Sequence, residues 1–131
     1  LVRHAGKIDM KLEVVVIPVS DVDRAKRFYL SMGWRLDADF ANGGNWRLVQ
    51  VTPPGSACSF FFGKGITNAT PGSVQGLLLI VDDIEAEVAR LRAEGVSFRN
   101  EIVTGPGGRQ ILAEDPSGNV VELFQPAASR A

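Results

Sequence analysis

Val15-Val16-Ile17-Pro18-Val19-Ser20-Asp21-Val22-Asp23-Arg24-Ala25 runs on through Phe28-Tyr29 to Gly33-Trp34-Arg35. Sixty-two residues later, Leu77-Leu78-Leu79-Ile80-Val81-Asp82-Asp83-Ile84-Glu85 runs on through Leu91 to Gly95-Val96-Ser97. At that offset Val19 meets Val81, Asp21 meets Asp83, Val22 meets Ile84, Tyr29 meets Leu91 and Gly33 meets Gly95. The same punctuation recurs: apolar run, acidic residue, amphipathic stretch, glycine. A fixed internal period is the mark of a repeated structural unit.

Each copy reads physically in the same way. Val14–Val19 and Leu77–Val81 are β-rich apolar runs, which suit strands buried on both faces. Ser20 and Asp21, then Asp82 and Asp83, can accept from the free amides of a starting helix. Ser20 with Asp23, and Asp82 with Glu85, have capping-box spacing. Val22, Ala25, Tyr29 and Met32 recur at helical spacing, as do Ile84, Val88 and Leu91. Gly33 and Gly95 fall where a helix takes a left-handed terminator. Short strands follow, at Trp34–Phe40, Trp46–Thr52 and Cys58–Gly63 in the first copy. In the second they are Val96–Val103, Arg109–Ala113 and Asn119–Phe124. The expected fold is α+β, two tandem βαβββ modules over 11–63 and 75–126, joined by a Gly/Thr/Asn/Pro-rich linker at 64–74. Residues 1–10 read as an N-terminal extension and 127–131 as a tail. One module alone leaves an apolar sheet face open, so two must associate or pair with another chain.

Composition bounds the function. The 131 residues carry 14 Lys and Arg against 15 Asp and Glu, a net charge of -1. That balance lacks the basic surplus that neutralises phosphates, so no nucleic-acid partner is expected. No run approaches ~20 apolar residues, so no membrane partner is expected either. With one cysteine, Cys58, no internal disulfide can form, and a reduced, cytoplasmic domain is the expectation.

Ile17-Pro18-Val19-Ser20-Asp21, Phe28-Tyr29, Gly33-Trp34, Val81-Asp82-Asp83-Ile84 and the closing Glu114-Asp115-Pro116-Ser117-Gly118-Asn119-Val120-Val121-Glu122-Leu123 resemble the vicinal oxygen chelate superfamily. It includes glyoxalase I, bleomycin-resistance proteins and extradiol dioxygenases. The resemblance implies a half-barrel whose inner face holds the ligand, and a homodimer, since relatives build cavities from modules of two chains. In the enzymes, four quasi-equivalent strand positions carry His or Glu around a divalent ion. Counting from the matched motifs puts those positions at Val14, Phe60, Gly76 and Glu122. One carboxylate is too few for such a site, so no metal or other cofactor is expected. The single histidine, His4, falls in the N-terminal extension.

With Glu122 facing inward, alternation brings Val120 and Phe124 with it, and likewise Cys58, Phe60 and Phe62. Trp46, Leu48 and Gln50 are expected beside them, because Val49 and Val51 suit the helix-packed side. An aromatic, apolar surface with one acid fits a small hydrophobic or aromatic ligand. Metal-independent binding is the expectation, in the manner of the bleomycin-resistance proteins. The alternative is an enzyme of glyoxalase or dioxygenase type, with Glu122 as general base or remnant metal ligand. Arg47 and Arg109 could anchor an anion or lie on a solvated face, and Gly105-Pro106-Gly107-Gly108 reads as a mobile turn or lid.

Overall fold

The computed structural model describes residues 8–128, so His4 and the ends of the expected extension and tail lie outside the described residues. The first copy of the repeat forms β1 (Val14–Val16), α1 (Val22–Ser31), β2 (Arg35–Ala41), β3 (Arg47–Thr52) and β4 (Ser59–Lys64). The second forms β5 (Leu77–Ile80), α2 (Ile84–Ala93), β6 (Ser97–Phe98), β7 (Val103–Gly105), β8 (Gly108–Glu114) and β9 (Val120–Pro126). The strand expected over Val96–Val103 is divided into β6 and β7. Between them Asn100 turns its side-chain oxygen onto the Leu112 amide, and the Arg99 amide donates to the Leu112 carbonyl. Both pieces pair with β8, so the ladder bends without being lost.

The caps settle one residue later than the capping-box spacing suggests. Asp21 accepts from the Arg24 amide and Asp83 from the Ala86 amide, both at extended N-cap positions. Gly33 and Gly95, at φ +89° and +88°, end the helices in the left-handed region as expected. Pro106 and Gly107 form the turn of the β7–β8 hairpin, closed by the Gly105–Gly108 pair. The Gly107 carbonyl accepts from Ala127, so the segment is a pinned hairpin turn.

Two sheets result, ordered β1-β4-β3-β2 and β5-β9-β8-β6, with β7 added on β8. β1 and β5 each pair in parallel with the last long strand of their own module. One buried cluster takes Ala25, Tyr29, Ile84, Val88 and Leu91 from the helices, and Val49, Val51, Phe62, Ile111, Val121 and Leu123 from the sheets. Burial of each large side chain contributes roughly 1.5–3 kcal/mol. Because each sheet spends one face on this cluster, β5 is not buried on both faces. Leu78 and Ile80 are 47% and 54% exposed, against the expectation for a continuous apolar run.

The closing motif joins the modules. Asp115, 3% exposed, accepts from the Tyr29 hydroxyl at 2.7 Å, from the Asn119 side chain at 2.9 Å, and from the Ser117 and Asn119 amides. Asn119 also donates to the Pro18 carbonyl and accepts from the Val74 amide. Ser117 receives the Ser20 amide. Residues distant by about a hundred positions are thus tied by a buried network whose members satisfy one another.

Burial, and then the Asp115 charge, push the Tyr29 phenol well above its ordinary value. A raised value means the fold holds the proton that the unfolded chain releases near pH ~10, so this stability is present below pH ~10 and lost above it. Tyr29 is the only tyrosine. Tyrosinate absorbance at 295 nm should therefore appear only together with unfolding, above the pH of a free phenol. Titration near pH 10 with the fold intact would contradict the buried pair.

Candidate ligand-binding face

Residues opposed across a ladder share a face, so the registers decide which side chains look away from the helices. In the first sheet Val49 opposes Phe62 and Val51 opposes Phe60. These four share the helix side, where Phe62 lies 5.6 Å from Tyr29 and Phe60 stacks on Trp34 at 5.2 Å. The other side carries Leu48, Gln50 and Phe61, with Val14 opposite Ser59 and Val16 opposite Phe61. Phe40 opposes Leu48 on the same side, and Trp46 continues the alternation of Leu48 and Gln50.

The expectation that Phe60 and Phe62 line a cavity is therefore corrected: both are core residues, 6% and 0% exposed. Cys58, in step with them, is half-buried and its thiol donates to the neighbouring Ser59 carbonyl. The cause is a single residue. Offset 62 holds from β1 to β3, since Val51 opposes Phe60 as Ala113 opposes Val121. The turn at 53–58 is one residue longer than its counterpart at 115–119, so the last strands match at offset 61. Glu122 opposes Leu78 where Phe61 opposes Val16. A one-residue slip moves every side chain to the opposite face.

In the second sheet Val120, Glu122 and Phe124 share the side away from the helix with Leu78, Ile80, Gln110 and Leu112. The structure thus groups Trp46, Leu48 and Gln50 on one open face, and Val120, Glu122 and Phe124 on the other. It adds Phe40 and Phe61 to the open face of the first sheet. The faces are unevenly covered within the chain: Phe40 is 61% exposed and Trp46 36%, whereas Val120 is buried. A cleft of about 800 Å³ between the modules is lined by Trp34, Pro53, Pro54, Leu78, Ile80 and Arg90, but by none of the expected cavity residues. It marks the free β5 edge and not the candidate face.

With the register corrected, the four positions at which the resemblance places metal ligands are Val14, Phe61, Gly76 and Glu122. Only Glu122 offers a donor, and among the described residues no three His, Cys, Asp or Glu side chains cluster. That donor set does not fit a divalent ion. Neither strand arginine is a free anion anchor. Arg47 bonds Asp39 and Asp23, which lower both carboxyls and raise the guanidinium, and Arg109 bonds Glu85.

A tandem βαβββ chain with one open face on each sheet, and a single carboxylate among the four quasi-equivalent positions, sets the class of fold. The chain belongs to the glyoxalase/bleomycin resistance protein/dioxygenase superfamily, whose family model matches residues 11–123. It is similar to TnmS3, an antibiotic binding protein from Streptomyces sp. CB03234, with 37% identity and a TM-score of 0.83, covering 93% of this chain and 100% of that one. A glyoxalase/bleomycin resistance protein from the same strain is 39% identical, with a TM-score of 0.76 over 88% of this chain and 100% of that one. A superfamily member from Sphaerobacter thermophilus DSM 20745 is 30% identical, with a TM-score of 0.78 over 89% and 98%. No curated protein sequence matches. No described helix is long and apolar enough to cross a membrane.

Proposed function

We propose that this protein binds a small hydrophobic or aromatic compound without a metal. The cavity is built from the open face of the first sheet in one copy and of the second sheet in another, in a cytoplasmic homodimer. The observation that carries this reading is the content of the quasi-equivalent positions: Val14, Phe61 and Gly76 leave Glu122 alone among apolar side chains. Phe40, Trp46, Leu48 and Phe61 supply flat apolar surface, and Glu122 can pair with a cation or donor on the ligand. The similarity to an antibiotic binding protein supports sequestration over turnover.

Of the two tryptophans, Trp46 is 36% exposed on the open face and Trp34 is 4% exposed in the core. Titration with a library of aromatic compounds should quench fluorescence saturably in wild type and in Trp34→Phe. Trp46→Phe should abolish the response, and Trp46→Ala should weaken affinity measured by calorimetry roughly tenfold. No saturable binding across the library would remove the reading. Stoichiometric metal in protein purified without chelator would overturn its metal-free part, and turnover abolished by Glu122→Gln would replace it with an enzyme that uses Glu122 as base.

A further inference from the structure

Three adjacent strands bring a second polar group to the open face of the first sheet. Thr52, at the end of β3, and Ser59, at the start of β4, lie with hydroxyl oxygens 2.7 Å apart. The Thr52 hydroxyl also bonds the Asp37 carboxylate on β2, which Arg35 holds from outside at 2.5 Å. Thr52 is 2% exposed and Ser59 5%, so the two hydroxyls are withdrawn from bulk water, while Asp37 stands exposed on the edge strand β2.

Counting protons fixes its direction. Hydrogen bonds from Thr52, then from Arg35, lower the Asp37 carboxyl below its ordinary range, so at neutral pH it is ionised and can only accept. Thr52 owns one hydroxyl proton and gives it to Asp37. The Thr52–Ser59 contact must then use the Ser59 proton. Ser59 is left with a lone pair and no proton, and among the described residues no further donor bonds its hydroxyl. The fold does not demand this arrangement. At the matching β8 position Glu114 stands in place of Thr52, and it pairs with Arg99.

We infer that Asp37, Thr52 and Ser59 form a polarised hydroxyl relay whose Ser59 oxygen accepts a hydrogen bond from the bound molecule, selecting ligands that carry a phenolic O–H or an N–H. This rests on the proposed function and narrows its ligand class to hydrogen-bond donors. A carbonyl or ether placed at the same spot meets only lone pairs, and two acceptors facing each other in a dry site repel.

Matched probes test it: 2-naphthol against 2-methoxynaphthalene, then the hydroxyl and methyl-ether forms of each aromatic that binds in the library screen. Calorimetry should show wild type preferring the hydroxyl form by about five- to fifteenfold. Ser59→Ala should bring the ratio near one without weakening the ether. Thr52→Val frees the Ser59 proton, so it should lower the preference and improve binding of 2-acetylnaphthalene, an acceptor. Thr52→Ser should restore the wild-type ratio, an outcome that loss of folding would not produce. Equal affinity for both forms in wild type would overturn the relay and leave the binding function standing. A preference that survives Ser59→Ala and disappears in Glu122→Gln would also overturn it. No saturable binding by any aromatic would remove both readings.

Discussion

Asp115→Ala should lower the unfolding free energy by about 3–5 kcal/mol in urea denaturation, a large share of what a domain of this size possesses. The loss is not that of one bond. Asp115 accepts from a hydroxyl, a side-chain amide and two main-chain amides, all within a site 3% exposed. Removing the carboxylate leaves those donors in a place water does not reach, and each unpaired donor costs its full desolvation. Tyr29→Phe removes one member and keeps the rest, so roughly 1–2 kcal/mol is expected. In a double-mutant cycle the two changes should be strongly non-additive, because Tyr29 and Asp115 share a bond. Asp115→Asn should fall between them, since its amide replaces an acceptor by a donor among donors. Additive effects, or a loss below about 1 kcal/mol for Asp115→Ala, would mean that the modules are held by apolar contact alone.

This network also shows what the sequence makes legible. Asp115-Pro116-Ser117-Gly118-Asn119 identifies the family because it closes a turn and reaches across to Tyr29 and Pro18 at once, a demand that few residue types meet. The helices and most strands were readable for a local reason: period, cap and glycine lie within a few positions of one another. The faces of the last strands were not. Phe60, Phe61 and Phe62 are chemically alike, so hydrophobic pattern cannot say which points inward, and only the repeat offset bears on it. The turn at 53–58 carries one residue more than its counterpart, which turned Phe60 to the core and Phe61 outward. Phe40 is not legible as a face residue because its strand, Arg35–Ala41, mixes charged and apolar residues on both sides. Asp39 bonds Lys26 and Arg47 on the helix side, and only the ladder with β3 assigns the faces. The hydroxyl relay has no sequence signature, since Asp37, Thr52 and Ser59 are ordinary strand residues until register brings them together.

Leu78→Arg should leave the chain folded but monomeric, and should weaken binding of any aromatic ligand at least about a hundredfold. The chain alone gives little reason for Leu78 to be apolar, since it is 47% exposed and stands on a strand paired on one edge only. β1 has the same free edge, and the two open faces point apolar side chains at solvent from both sheets. Under the proposed dimer, the first module of one copy lies beside the second module of its partner, and Leu78 sits near the seam. A guanidinium there would be stripped of water without a counter-charge, which costs several kcal/mol. In the isolated chain it would simply remain solvated, so the thermal midpoint of the monomer should move little. Sedimentation distinguishes these states, because wild type should run at twice the 14.1 kDa of the chain and the variant at that mass. A variant that stays dimeric and binds normally would place the contact elsewhere on the molecule. A monomeric variant that still binds would mean that one sheet face suffices, and the second sheet would then have no part in the cavity. Loss of both properties together is the result a shared site predicts, because the ligand then touches residues from two chains and is not held by either alone.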